Sequence, residues 1–285
     1  MSGELLGSGN GAVLPNFLII GAARAGTTSM ATWLHAHPQV FMPPRKELFF
    51  FDREQRWSHG VSWYRSQFEG AGDRPAIGEA TTSYMFYEHV PPRMAEVVPD
   101  ARLIAILRNP VDRAYSHYCF ARAWGGEHRS FAQAITDERD GRILVPGGEY
   151  LGRGRYLSQL ERVGRYFPAS ALLVLLFDDL RDAPAGAYAT VCRFIGIDDD
   201  FVPEHLGTVA NASHELRWRW LWRLTRRYRT NYRPHNALSA RLDRRNAIRY
   251  PPLDAALRTE LLAEFARDNL GLATWLGRDL ARWAS

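Results

Sequence analysis

Residues 15–29 read Pro15-Asn16-Phe17-Leu18-Ile19-Ile20-Gly21-Ala22-Ala23-Arg24-Ala25-Gly26-Thr27-Thr28-Ser29. An apolar run enters a loop with glycines at 21 and 26, and two threonines open a helix-compatible run from Met30 to Leu34. That order predicts strand, tight loop, helix. The first N–H groups of such a helix have no partner inside it and can hold a phosphate or sulfate. The spacing nearly matches the nucleotide loop GxxxxGK[ST], but Thr27 stands where the lysine would be. The loop therefore fits a phosphorylated ligand held without that lysine.

The pattern repeats along the chain. Strands are expected over Leu14 to Ile20, Ile77 to Ala80, Arg102 to Leu107 and Ala171 to Phe177. Helices are expected over Thr28 to His35, Tyr87 to Val97, Val111 to Ala123, Arg155 to Phe167, Ala185 to Ile195 and Asp254 to Asn269. A short helix is expected near Phe131 to Thr136, and aromatic residues recur at near-helical spacing from Trp57 to Phe68. Pro110 stands at a first helical position, a good start signal. Pro38, Pro43 and Pro44 put the segment carrying Arg45-Lys46-Glu47 in a loop. Buried runs alternating with helices predict an α/β fold of three layers, with a central, mainly parallel β-sheet flanked by helices.

The chain has 285 residues, 46% of them hydrophobic, enough for one large core or two small ones. Residues 1–13 are Gly-rich and are expected to be a flexible segment. Residues 14–285 are expected to form a single domain, for no repeat or long linker divides them. No apolar run reaches the length of about 18 residues that suggests a membrane span. The first dozen residues lack the charge and apolar stretch of a signal peptide. Cys119 and Cys192 are the only cysteines, too few for a metal or disulfide framework. A cytoplasmic location is expected. His35 and His37 have no partner set that suggests zinc.

The formal net charge is +5, but it is uneven. Arg217 to Arg249 holds eleven arginines against Asp243, a net +10, so the remainder carries −5. This Arg/Trp-rich segment, residues 214–249, includes Trp218, Trp220 and Trp222. It reads as a surface helix to about Tyr228 with a solvated face, or as a grip on nucleic acid or another anionic surface. Lys46 is the only lysine.

Three constellations can carry chemistry. In the first, the glycines let backbone curl around an anion, Thr27 and Thr28 offer hydroxyls, and Arg24 offers a charged fork. The plainer reading is an ordinary strand–helix turn. In the second, Arg108 leaves a buried strand where ligands of parallel sheets lie, and Arg113 and Ser116 share a helix face. An arginine with a serine hydroxyl makes a second phosphate clamp. The plainer reading makes Asp112 a helix-start acid and Arg113 a solvated residue. In the third, Glu47 stands beside Lys46 and before three phenylalanines, either as a base or as half of a surface ion pair. Glu79, Thr81 and Thr82 leave another strand and can contact substrate or cap a helix. His117 can touch a nucleotide base or simply pack.

Taken in order, five segments resemble the sulfotransferases that use 3′-phosphoadenosine 5′-phosphosulfate (PAPS), especially heparan-sulfate-type and related bacterial members. They are Phe17 to Gly21, Arg24 to Thr28, Lys46 to Phe50, Gly78 to Tyr84, and Arg108 to Ser116. The resemblance implies a P-loop-like fold and no metal requirement. It implies that Arg24, Ala25, Gly26, Thr27, Thr28 and Ser29 bind the 5′-phosphosulfate, and that Arg108 and Ser116 bind the 3′-phosphate. Arg155 and Tyr156 match a cofactor-side element, and Arg249 and Tyr250 match a late closing loop. Glu47 matches the base of the glycan-sulfating branch. That branch commonly has lysine at the position of Arg24; if a proton donor is needed, Lys46 is the amine available. The cysteine pair expected of secretory animal-type members is missing near the C-terminal region. The implied reaction moves a sulfuryl group to a hydroxyl, less readily an amine, of a carbohydrate, lipid or natural-product acceptor, leaving adenosine 3′,5′-bisphosphate. The alternatives are a nucleic-acid-binding protein and a nucleotide-dependent kinase; the absent loop lysine and magnesium carboxylate argue against the kinase.

Overall fold

The computed structural model describes residues 13–207, 215–216, 247–248 and 250–284. Five strands form one parallel sheet: β1 (Phe17–Gly21), β2 (Val40–Phe41), β3 (Ala76–Ala80), β4 (Arg102–Leu107) and β5 (Leu172–Leu176). Their order is β2-β3-β1-β4-β5. Phe17 pairs with Gly78 on one side and Arg102 on the other. β1 and β3 are buried along their whole length, as strands covered on both faces must be. The result is a three-layer α/β fold, as the alternation predicts.

The connections set the site. The chain passes from β1 outward to β2, returns through β3, and then crosses β1 to reach β4. The order thus reverses around β1, and ligands of open parallel sheets lie at the carboxyl ends beside such a reversal. Helix α1 (Thr27–His35) follows β1; α2 (Glu54–Trp57) and α3 (Gly60–Ser66) precede β3; α4 (Val90–Val97) precedes β4. Helix α5 (Pro110–Ala123) follows β4; α6 (Phe131–Arg139) and α7 (Tyr156–Gly164) precede β5; α8 (Phe177–Asp182), α9 (Pro184–Ile195) and α10 (Ala255–Leu276) come after it. Asn109 caps α5, its side-chain oxygen accepting from Val111 N at 2.9 Å and Asp112 N at 3.3 Å. This cap fixes the direction in which Arg108 leaves the sheet.

Several expectations need correction. Val40–Phe41 pairs with β3, although the surrounding prolines suggest loop alone. The Trp57–Phe68 periodicity is two short helices. Phe177 starts α8 rather than ending β5. Helix α10 runs to Leu276, past Asn269, because Gly271 is a contact residue and not a stop: a Cβ there would stand 2.8 Å from Leu157. The actual stop is Gly277, in the left-handed region at φ 62°. Glu215–Leu216 pairs antiparallel with Ala247–Ile248, so the expected helix from His214 does not begin there. The rest of the Arg/Trp segment, Arg249 and residues 1–12 lie outside the described residues.

Candidate functional site

The loop after β1 folds tightly because Gly26 takes φ 91° and lies against Phe177, which a Cβ would approach to 3.0 Å. Helix α1 therefore starts with no side-chain cap and no acidic residue in its first turn. Its leading N–H groups and dipole face the site, an arrangement suited to an anion. Arg24 bends back from this loop to donate from Nε to Ser116 Oγ at 3.2 Å, and its guanidinium lies 4.8 Å from the Phe120 ring centre. Arg108 donates to the Arg24 carbonyl at 3.2 Å and stacks over Phe177 at 4.9 Å. The exits of β1 and β4 thus meet.

Between them lies a cavity of about 640 Å³. Arg24, Gly26, Thr27, Thr28 and Ser29 line one part of its wall; Arg108, Ser116 and Tyr250 line another. Ala25 is fully buried beneath the loop. Tyr250 is held by donation from its hydroxyl to the Cys119 carbonyl at 2.7 Å. Burial, then the charge of Arg108, pushes Arg24 down to about 10, which leaves it cationic at neutral pH. Burial also lowers Arg108, opposed chiefly by Asp112. Cations held close together, beside an uncapped helix start, fit a ligand with phosphate groups at two points. Among the described residues, no cluster of His, Cys, Asp and Glu could hold a metal ion.

A second group joins the cavity through Thr28. Lys46 Nζ donates to Thr28 Oγ1 at 2.8 Å and lies 3.4 Å from Glu47 Oε1. Desolvation lowers the Lys46 pKa, opposed first by the charge of Glu47. The Glu47 carboxylate also accepts from Thr82 N at 3.1 Å and Thr82 Oγ1 at 3.2 Å. Arg24, Glu47 and Phe49 are the non-glycine residues with positive φ among the described residues. Such backbone is costly and concentrates at functional sites.

Other residues singled out in the sequence lie apart from the cavity wall. Glu79 is in the core with Thr81, each at most 1% exposed. Burial pushes Glu79 up to about 7, against hydrogen bonds from Thr81, Tyr64 and Tyr84. His117 meets Arg113 and the edge of Tyr150, and burial and the Arg113 charge hold it well below the ordinary histidine value. Arg155 pairs with Glu264 at 3.0 Å and with Asp268. Tyr156 is buried and donates to the Arg108 carbonyl at 2.8 Å, behind the site. Sequence reading missed Phe177 and Trp33, which line the cavity. The signal for Phe177 was its place at a strand exit; Trp33, within a helix, gave none.

The sulfotransferase domain family matches residues 14–213. Human bifunctional heparan sulfate N-deacetylase/N-sulfotransferase 2 is 29% identical over 289 residues, covering 93% of this chain but 30% of that protein. Human heparan sulfate glucosamine 3-O-sulfotransferase 3B1 is 29% identical over 199 residues, 70% of this chain and 50% of that one. The chain thus spans half or less of the length of these two relatives. A sulfotransferase crystal structure from Alicyclobacillus acidocaldarius superposes with a TM-score of 0.74 at 28% identity, over 96% of this chain and 100% of that one.

Proposed function

The chain belongs to the sulfotransferase family; from that premise we propose that it is an enzyme moving a sulfuryl group from PAPS to a hydroxyl on a carbohydrate, lipid or natural product, with Glu47 as the base. The observation that carries the site assignment is the Arg24–Ser116 contact, which joins the two strand exits around one cavity. PAPS, when bound, supplies the sulfuryl group and a phosphate leaving group.

The residues divide the work. The N–H groups opening α1, with Thr27, Thr28 and Ser29, hold the 5′ end. Arg108 and Ser116 hold the 3′-phosphate, and Tyr250 closes the same wall. Arg24 bridges the two ends and stabilises charge that builds on the leaving side, a preorganised electrostatic effect. Glu47 takes the acceptor proton at its carboxylate, while the Thr82 contacts fix that carboxylate's direction. Lys46, an amine with a lowered pKa at Thr28, carries the proton that the leaving side needs. Tyr156, behind the Arg108 carbonyl, and Arg249 support the cofactor side in this reading, and Thr82 stands on the acceptor side beside Glu47; Arg155, Glu79, Thr81 and His117 lie apart from the cavity and take no ligand. In the described residues, no helix is long and apolar enough to cross a membrane. The reading includes a cytoplasmic location, supported by the free, buried thiols of Cys119 and Cys192.

A screen of acceptors with sulfur-labelled PAPS, followed by mass spectrometry of the product, identifies the acceptor. With it, Glu47→Gln should lose about 10²–10⁴-fold in turnover while adenosine 3′,5′-bisphosphate binding stays intact. An equal loss of nucleotide binding would remove Glu47 from the role of base.

A further inference from the structure

We propose that Glu79 is a positioning residue for Glu47, acting through two hydroxyls that fasten the backbone of residues 49 and 50. This rests on Glu47 as the base. Glu79 stands in β3, 1% exposed, and its carboxylate accepts three hydroxyl protons. Tyr64 donates to Oε1 at 2.7 Å, Tyr84 to Oε1 at 2.9 Å, and Thr81 to Oε2 at 2.7 Å.

The polarity of this cluster decides its effect. A hydroxyl has one proton, and an ionised carboxylate, the form Glu79 takes above about pH 7, has lone pairs alone. All three protons therefore point at Glu79. The oxygens of Tyr84 and Thr81 are left to accept from elsewhere, and both accept from backbone. Phe50 N–H donates to the Tyr84 hydroxyl at 3.0 Å, and Phe49 N–H donates to Thr81 Oγ1 at 3.5 Å. Glu47 N–H donates to the Ala80 carbonyl at 3.1 Å, one residue beyond Glu79. The segment is thus tied to the end of β3 at 47, 49 and 50.

It needs those ties. Glu47 and Phe49 sit at φ 61° and 56°, where side chains with a Cβ are strained. Stacking of Phe50 on Tyr64, with ring centres 4.3 Å apart, buries the same segment. Released from these anchors, residue 47 relaxes and its carboxylate leaves Thr82 and Lys46. A glutamine at position 79 has the shape of glutamate but donates from its amide nitrogen. One hydroxyl must then accept from it and turn its own proton outward, against a backbone N–H that it had bound. The carboxylate charge sets the direction of every hydrogen bond between Glu79 and this segment.

The test uses the chain's single lysine. Protein grown with nitrogen-15 lysine gives one side-chain Nζ resonance, from Lys46 beside Glu47, and needs no acceptor. Above about pH 7, where wild-type Glu79 is ionised, this resonance in Glu79→Gln should move toward its position in Glu47→Gln. Adenosine 3′,5′-bisphosphate, measured by calorimetry, should bind within about twofold of wild type, as expected for a distant site. The double variant should show the same resonance as Glu47→Gln alone. With the acceptor from the screen, Glu79→Gln should lower kcat by up to about 10²-fold and leave the KM for PAPS unchanged. A wild-type Lys46 resonance in Glu79→Gln overturns the proposal, as does a loss of nucleotide affinity equal to that of Arg108→Ala. If Glu79→Gln does not fold, Tyr84→Phe removes the one hydroxyl between Glu79 and Phe50 N–H and is read in the same way. Full turnover in Glu47→Gln, with the resonance shifts as expected, ends the base assignment but supports the hold of Glu79 on the segment.

Discussion

Arg108→Ala should abolish most of the preference for a nucleotide with a 3′-phosphate. The Arg108 guanidinium is ordered before ligand arrives, by stacking on Phe177 and by donation to the Arg24 carbonyl. Little rotamer freedom is lost on binding, so most of the interaction energy reaches the affinity. One charge-assisted hydrogen bond contributes about 1.5–3 kcal/mol, or about 10–150-fold in Kd. The assay is a four-cornered calorimetric comparison of wild type and Arg108→Ala, each with adenosine 3′,5′-bisphosphate and adenosine 5′-monophosphate. Wild type should prefer the bisphosphate by roughly 10²-fold and the variant by roughly tenfold or less, a difference of at least one such bond. Arg108→Lys should fall between, because an ammonium keeps the charge but not the planar fork. If Arg108→Ala weakens both nucleotides by the same factor, Arg108 acts by holding the Arg24 loop and does not contact the 3′-phosphate. The reasoning would then be wrong.

Two further outcomes are expected. Glu79 sits at about 7 in the fold against an ordinary value of 4.5; the native chain holds its proton more tightly, so the associated stability is present at low pH and lost as pH rises between those values, by roughly 3 kcal/mol. Urea unfolding at several pH values should show that fall in wild type and a flatter profile in Glu79→Gln; parallel profiles refute it. Gly78→Ala would put a Cβ 2.3 Å from the Phe17 ring in the middle of the sheet. Overpacking should cost about 1–3 kcal/mol in the urea midpoint, with Phe17→Leu in the same chain restoring part; an unchanged midpoint would show that the ring moves freely.

The fold and the residues of the cavity wall were largely legible because both depend on local signals. Buried parallel strands read as unbroken apolar runs, such as Leu103 to Leu107, and Gly26 and Pro110 mark where loop becomes helix. The convergence of Thr27 with Ser116 followed from two strand exits on neighbouring strands. Less was legible where tertiary contact overrides local preference. Val40–Phe41 is strand because β3 pairs with it. Gly271 is inside a helix because α7 approaches it closely. Glu79 looks like an exposed strand-exit acid in sequence. Its burial depends on Tyr64, which comes from helix α3 and gives no sign of the pairing.

The arginine at position 24 has a physical reason in this geometry. One guanidinium donates in its plane to Ser116 and lies over the face of Phe120, two contacts that use its flat shape. An ammonium has no plane and could not make both as well. Arg24 thereby joins the loop after β1 to the helix after β4 as a fixed cation. What it gives up is easy proton exchange. Lys46 supplies an amine from another segment, reaching Thr28 in the same loop, in surroundings that lower its pKa. On the proposed mechanism, the roles that a loop lysine could combine are divided between two residues. Arg24 holds charge and geometry, and Lys46 carries the proton. That division also makes the backbone at 46 and 47 matter more, since amine and base now share one strained turn fastened to β3.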